Sequence, residues 1–375
     1  MTIFKNGGEE MKKALLALLV VFATLFTLVA CGPEKYEIAM VTDSGGIDDK
    51  SFNQGTWEGI VKYATENDKS YKYYKPAEVS DAAYLAAIAL AVEGGAKIVI
   101  TPGFLFESSI YEAQTLYPEV KFVLIDGEPH TPDYSVFETK SNTLNVLFDE
   151  NEAGFYAGYA AVRGGMRNLG FFGGMAVPAV VRFGIGYVAG AYYAADELDV
   201  QITFTADHYH YLGSFAPSDE AKTRALSWFD AGVDVLFAAA GGAGSSAMAA
   251  AEEKTGKFTI GVDKDQKEDS LTVLTSALKG VGEAAYQALT DYYNDEFVGG
   301  RTIRLGSANG GVSLPDDFSR FTNGSAVKTA YEAVFDKVVD GTIMVPTNNG
   351  TSLKAFLNAL GYTDEGIDAL CDAAE

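Results

Sequence analysis

The sequence predicts an α/β chain made of two doubly wound parallel-sheet lobes joined by a hinge, and three observations predict it. Short β-type apolar runs alternate with Ala- and Leu-rich stretches at helical spacing. The chain beyond its N-terminal leader is too long for one core of usual size and suits two. Most of the apolar runs stop at or beside Asp, Gly or Pro, residues that turn a chain out of a strand.

The runs read as strands are 36–42, 97–101, 121–126, 168–172, 201–205, 233–238 and 257–262. The helical stretches between them include 81–93, 151–163, 188–198 and 219–229. Strand, helix, strand in this order implies a parallel sheet covered on both faces. The first lobe is expected at 36–148 plus about 271–298, because the helix-prone stretch 277–293 reads as returning to it. The second lobe is expected at 149–270 plus about 299–316, with 317–375 a C-terminal helical segment that the sequence assigns to neither lobe.

The N-terminus reads as a secretion signal. Met11-Lys12-Lys13 precedes an apolar stretch that ends at Leu28-Val29-Ala30-Cys31, and this stretch is shorter than the roughly 20 residues that span a bilayer comfortably. The ending resembles a bacterial lipoprotein cleavage box, which implies removal of residues 1–30 and lipidation of Cys31, with 31–35 a tether. Stable anchoring takes more than one acyl chain, as the likeness to lipoproteins implies here. Residues 1–10 lack this character, which leaves Met11 as an alternative start. With Cys31 lipidated, only Cys371 remains; it cannot form an internal disulfide and reads as packing in a terminal helix.

The net charge of −23 becomes one unit more negative when residues 1–30 leave, since three lysines and two glutamates go with them. Such a surface repels phosphate backbones and anionic headgroups, so nucleic acid is excluded as a partner and a neutral ligand is favoured over a nucleotide. No Walker loop and no G-x-S-x-G elbow occurs, so neither ATP hydrolysis nor serine-type acyl transfer is expected.

Open parallel sheets bind ligands beyond the carboxyl ends of their strands. The positions just after the apolar runs are Asp43, Thr101 to Gly103, Asp126, Gly173-Gly174, Ala240 to Gly244 and Asp263. The most informative stretch is 40–59, where a strand delivers Asp43, glycines turn the chain, and Phe52-Asn53 opens the next helix. An aromatic ring beside an amide gives a planar ligand a face to stack on and an edge to bond. The plainer alternative makes Asp43 and Asp48 turn caps and Phe52 and Trp57 core residues.

That stretch, Asp43-Ser44-Gly45-Gly46-Ile47-Asp48-Asp49-Lys50-Ser51-Phe52-Asn53, resembles the opening signature of the basic membrane protein family, purine-nucleoside-receptor-like lipoproteins that serve ABC importers. The likeness continues through Leu124-Ile125-Asp126-Gly127, Glu152-Ala153-Gly154-Phe155, Ala240-Gly241-Gly242, Gly261-Val262-Asp263-Lys264 and Ala277-Leu278-Lys279, nearly the whole chain past the leader. It implies a type I periplasmic-binding-protein-like fold, no enzymatic activity, no cofactor or metal, and a monomer on the extracytoplasmic face of the cell membrane. It implies a nucleoside ligand, a purine nucleoside first, and a permease and an ATPase as partners. By position it implies that Asp43 and Asn53 bond the base edge, that Phe52 stacks on one face, and that Asp126, Asp263 and Lys279 hold the ribose hydroxyls. Gly241 and Gly242 would allow close backbone approach. Phe237 is nominated as the second stacking aromatic, with Phe183 its rival. Two departures weaken the base assignment: Ala243 stands where the family usually has Thr, and Met175-Ala176-Val177-Pro178 replaces a polar run. A different flat ligand such as riboflavin, or a sensory surface lipoprotein, therefore stays open.

The start of the same stretch also resembles, at a distance, the calcium-binding opening of nucleoside hydrolases. Val41 stands in place of the first acid there and offers calcium no oxygen. Gly184-Ile185-Gly186-Tyr187-Val188-Ala189-Gly190 is one residue too long for a dinucleotide loop and reads instead as a helix whose small residues pack closely on a neighbour. The Tyr-rich run around His208 and His210 reads as a surface or lobe-edge feature rather than a metal site.

Overall fold

The structure is a computed structural model that describes residues 35–348 and 350–375. The expected leader, the lipid site at Cys31 and all but the last residue of the tether lie outside the described residues. Two six-stranded sheets are present, as the alternating pattern predicts. The first uses β1 (Ile38–Val41), β2 (Tyr71–Tyr74), β3 (Ile98–Pro102), β4 (Lys121–Ile125), β5 (Thr143–Phe148) and β11 (Arg301–Leu305), in the order β11-β5-β4-β3-β1-β2, all parallel. The second uses β6 (Leu169–Gly173), β7 (Tyr209–Tyr211), β8 (Val235–Ala239), β9 (Phe258–Asp263), β10 (Val273–Lys279) and the short β12 (Val312–Ser313). Its order is β12-β10-β9-β8-β6-β7, and β12 alone is antiparallel.

Central strands such as β1, β3 and β8 are buried along their whole length, because helices cover both faces of each sheet. In the first lobe, α2 (Asp81–Glu93) and α3 (Glu107–Leu116) enclose one apolar layer with Tyr84, Ile88, Phe106 and Ile110. On the other face, α1 (Phe52–Glu66) packs on α8 (Val281–Tyr293). They pack so closely that a Cβ on Gly59 would lie 2.1 Å from the Gly282 carbonyl oxygen. In the second lobe α6 (Asp219–Asp230) and α7 (Gly244–Glu252) cover one face, and α4 (Glu150–Arg163) with α5 (Pro178–Leu198) the other. Ser80 and Ser218 start α2 and α6 by accepting from the N–H groups of Ala83 and Ala221.

The α4–α5 pair explains the glycine run. A Cβ on Gly186 would sit 1.9 Å from the Asn151 carbonyl oxygen, and one on Gly190 1.9 Å from that of Phe155. Gly154 and Gly158 make the reciprocal approach from α4. The run is a close helix contact, and α5 starts ten residues before the expected 188 because its N-terminal half is glycine-rich for packing, not for turning.

Three expectations are corrected. Val273–Lys279 is a strand of the second sheet and not part of the first lobe, because its apolar run pairs in parallel with β9. Residues 301–305 belong to the first sheet, where β11 pairs with β5 at the edge. Residues 201–205 give only an isolated bridge, Asn168 to Thr203, while the edge strand is Tyr209–Tyr211, drawn in by stacking of Tyr209 on Phe171 at 4.5 Å. The C-terminal helices α9 (Gly324–Val339), α10 (Leu353–Ala359) and α11 (Glu365–Ala374) pack on α4, α5 and β7 of the second lobe. Cys371 is buried in α11 with no disulfide, as packing requires.

The chain thus crosses between lobes three times, after β5, after β10 and after β11. Hydrogen bonds from Asp149 N to Leu305 O (3.0 Å) and from Gly280 N to Gly311 O (2.9 Å) tie the crossings together. Among the described residues no helix is long and apolar enough to cross a membrane.

Candidate ligand-binding site

The carboxyl ends of the two sheets face each other across a cavity lined by residues of both lobes. Asp43, Phe52, Asn53 and Asp126 line it from the first lobe, and Gly241, Gly242, Asp263 and Lys279 from the second. The cavity holds two polar clusters with aromatic and apolar groups around them.

The first cluster forms where β1 runs into α1. Asp43 Oδ1 accepts from Asn53 Nδ2 (2.8 Å) and from the Gly45 N–H (2.9 Å), while the Asp43 N–H donates back to Asn53 Oδ1 (3.2 Å). Asp49 Oδ2 accepts from Asn53 Nδ2 (2.9 Å) and the Asn53 N–H (3.0 Å), and its Oδ1 accepts from the N–H groups of Ser51 and Gln54. Asp49 therefore satisfies orphan donors of the first turn of α1, a task its own N-cap Ser51 leaves undone. Burial pushes the Asp43 carboxyl up to about 6, with the Gly45 and Asn53 hydrogen bonds opposing and Asp49 adding to the rise.

The second cluster gathers around the Lys279 ammonium at the end of β10. It bonds Asp126 Oδ2, lies 2.9 Å from Glu150 Oε1, and is buried with both partners. Glu150 in turn accepts from Arg182 Nε at 2.6 Å. Asp263 completes the group, its Oδ2 accepting from Ser51 Oγ at 2.5 Å. Burial works against the charge on Lys279, but Asp126, Glu150 and Asp263 outweigh it and hold the ammonium well above the usual lysine range. For Glu150 burial is likewise outweighed, by Lys279 and Arg182, which bring the carboxyl down to about 2. Asp126 goes the other way, raised by burial and by Glu150 against the pull of Lys279. Burial also raises Asp263 to about 6, with Lys279 and Ser51 opposing.

Two further features mark this cluster. Asp126 Oδ1 is buried and has no hydrogen-bond partner, an arrangement that costs about 1–3 kcal/mol unless something fills it. Asp126 and Asp263 each have a left-handed backbone, φ +64° and +66°, at the ends of β4 and β9. Aspartate tolerates that conformation better than most residues, and strain of this kind collects at ligand clamps.

Phe52 presents its ring to the cavity and to the Lys279 ammonium, 4.9 Å from the ring centre. The nomination of Phe237 is corrected. Its side chain is fully buried and packed edge-on against Phe171, Phe183 and Tyr187, because β8 is a central strand with both faces covered. Phe183 lines the cavity in its place, with Phe215 close to Gly241. The apolar run after Gly173-Gly174 supplies Val177, Ala179 and Val180 to the same wall.

Asp49, Ser51, Glu150 and Arg182 were not singled out in the sequence. Glu150 lies two residues past β5 and opens α4, so reading Thr143–Phe148 as a strand would have pointed to its neighbour Asp149 and to this turn, though not to Glu150 itself. Arg182 carried no signal, since it lies within a glycine-rich helix. His130 braces the site from behind: Glu107 bonds it at 2.9 Å and also accepts from the Glu128 N–H, which fixes the loop leaving Asp126. His210 belongs to the edge strand β7, and among the described residues no group of His, Cys, Asp and Glu is arranged to hold a metal.

Comparison with known proteins agrees with this architecture. Residues 36–349 match the family described as ABC transporter substrate-binding protein, PnrA-like. The ABC transporter nucleoside-binding protein BmpA of Lactococcus lactis is 31% identical over 82% of this chain and 88% of its own. Basic membrane protein A of Borreliella burgdorferi is 30% identical over 92% and 99%. A solved ABC solute-binding protein from Aeropyrum pernix superposes with a TM-score of 0.71 at 24% identity, over 90% of this chain and 99% of that one, a likeness of fold. These relatives are substrate-binding proteins and not enzymes, and on the match across residues 36–349 the chain belongs to the PnrA-like family of ABC transporter substrate-binding proteins.

Proposed function

We propose that this protein binds a nucleoside, a purine nucleoside first, between its lobes and delivers it to the permease of an importer while tethered to the membrane through lipid on Cys31. The observation that carries the reading is the buried Asp126 Oδ1, left without a partner beside Lys279 and Asp263. Carboxylates aimed into a closed cavity suit a vicinal diol, since each oxygen can accept a hydroxyl proton and the ammonium can donate to the same hydroxyls. Phe52 from one lobe and Phe183 from the other supply faces for a flat ring. The printed description of the Lactococcus relative, a nucleoside-binding protein, supports the same reading.

Contacts across the cleft supply a closure signal. Lys50 bonds Asp269 at 2.7 Å, Gln266 donates to the Lys50 carbonyl at 2.8 Å, and Lys264 bonds Glu58 at 2.7 Å. A ligand that contacts both lobes favours this closed arrangement, which presents a composite surface to the permease.

The apolar wall of Val177, Ala179 and Val180 favours a second reading, another flat ligand such as riboflavin. Isothermal titration of the unlipidated chain from Glu34 onward, stripped of bound ligand, separates the two. Submicromolar binding of inosine or guanosine without turnover supports the nucleoside. Riboflavin alone replaces it, and hydrolysis of the nucleoside overturns the binding-protein reading. Asp126→Ala and Asp263→Ala are each expected to weaken nucleoside binding by about 1–3 kcal/mol.

A further inference from the structure

The cluster at Asp43 has a hydrogen-bond inventory that restricts what it can recognise. The Asn53 amide nitrogen has two hydrogens, and both are used, one on Asp43 Oδ1 at 2.8 Å and one on Asp49 Oδ2 at 2.9 Å. The amide cannot turn over, because its oxygen would then face two carboxylates and its nitrogen the Asp43 N–H, which now donates to it at 3.2 Å. Asp49 is saturated as well, accepting from Ser51, Gln54 and twice from Asn53. Of the backbone donors near this cluster, the Gly45 N–H is taken by Asp43 and the Gly103 N–H by the Ile125 carbonyl, and the Ser44 N–H also acts on the Asp43 carboxylate.

What remains open is Asp43 Oδ2, to which no side chain among the described residues donates, and one lone pair of Asn53 Oδ1. A Cβ at Gly103 would lie 3.1 Å from Asp43 Oδ2, so the glycine leaves the space beside that oxygen free. Both open groups are acceptors.

We propose that Asp49 is a specificity-determining residue: by taking the second amide hydrogen of Asn53 it makes this pole of the cavity accept-only, and so selects rings with N–H groups along one edge. The inference rests on the nucleoside reading and narrows it. Guanine offers two adjacent N–H donors, N1–H and N2–H, to the two acceptors; hypoxanthine offers N1–H alone beside a C–H, and adenine offers only its 6-amino N–H, with the lone pair of N1 set against the second acceptor. An unpaired acceptor set facing a lone pair is the kind of mismatch that a polar site rejects strongly.

The test is titration of guanosine, inosine and adenosine into the purified full chain in detergent at pH 7.5, with the Asp49→Asn variant alongside. Guanosine is expected to bind tightest and adenosine at least about tenfold more weakly, a difference of one unit in log Kd. In Asp49→Asn one oxygen remains where the carboxylate has two; turned to the backbone N–H groups of Ser51 and Gln54 it leaves Asn53 without that acceptor and releases an N–H toward the cavity, and the guanosine-to-adenosine ratio is expected to fall by about fivefold or more. Adenosine within about threefold of guanosine in the unaltered protein overturns the proposal while leaving the nucleoside reading intact. An unchanged ratio in a folded Asp49→Asn also overturns it. If that variant fails to fold, the ranking in the unaltered protein decides alone. Binding of none of the three overturns the nucleoside reading, and this inference with it.

Discussion

Ser51 Oγ donates to Asp263 Oδ2 at 2.5 Å, so the segment that opens α1 in the first lobe is tied to the strand end of β9 in the second. The same short loop supplies Lys50 to Asp269 and carries Phe52 and Asn53 into the cavity. Closure and ligand contact therefore share one piece of chain.

Removing the Ser51 hydroxyl takes away a hydrogen bond to a carboxylate, worth about 1.5–3 kcal/mol. Ser51→Ala is expected to shift the empty protein toward an open form with a larger radius of gyration in small-angle scattering, with little change in global stability. A scattering curve identical to that of the unaltered protein would show that this contact does not hold the lobes.

Lys279 compensates three buried carboxylates. Lys279→Met leaves them without it, and breaking a buried charge network in this way costs about 3–5 kcal/mol. The loss is expected to be larger at pH 8 than at pH 6, because protonation of Asp126 and Asp263 relieves the repulsion at the lower pH. Chemical denaturation at the two pH values checks this; an equal loss at both would mean that Asp126 and Asp263 do not change protonation between them.

The pH dependence of the empty protein follows from the same burial. Asp43 and Asp263 are both raised to about 6 from an ordinary value of 3.8. The folded state thus binds protons more tightly than the unfolded chain. Their contribution to stability is fully present below about 3.8 and is lost as pH rises through about 6. Glu150, held near 2 against an ordinary 4.5, acts in the opposite sense, but only below that ordinary value. The thermal midpoint is expected to rise as pH is lowered from 8 to 5.5, and a fall over that range would contradict the assigned burial. A ligand that donates hydroxyl protons to the ionised carboxylates should also release protons on binding near pH 6, measurable by calorimetry in two buffers of different ionisation enthalpy.

Phe183 and Phe237 have exchanged roles relative to the sequence expectation, and two variants distinguish them. Phe183→Ala is expected to weaken ligand binding by about 1–3 kcal/mol, the range for a base stacked on an aromatic ring. Phe237→Ala is expected to destabilise the second lobe by about 3–5 kcal/mol, as for a large aromatic removed from a core. Binding loss in Phe237→Ala with full thermal stability would restore the original nomination.

Several site positions were legible because one local rule locates them: a polar residue directly after an apolar run lies at a sheet edge. Asp43, Asp126 and Asp263 follow from that rule, and Phe52 with Asn53 from their place at the start of a helix. The rule failed where the strand itself was missed. Thr143–Phe148 is absent from the strands expected of the sequence, so the turn that carries Glu150 goes unmarked, and the expected helical stretch 277–293 takes in Ala277–Lys279, the end of β10, which places Lys279 in the wrong lobe.

The sequence by itself determined the class of fold, the family, and the ends of most of the strands that carry the site, because hydrophobic period and chain-turning residues are local properties. Only the tertiary structure decided which aromatic faces the ligand cavity, which sheet receives each segment after residue 270, and how the Asn53 amide is oriented. Those depend on contacts between residues far apart in the chain: Phe237 is enclosed by Phe171, Phe183 and Tyr187, β10 pairs with β9, and Lys279 reaches Asp126 across 153 positions of sequence. Packing and charge pairing at that range leave no local pattern, so the clamp could be recognised from the sequence while its lining could not.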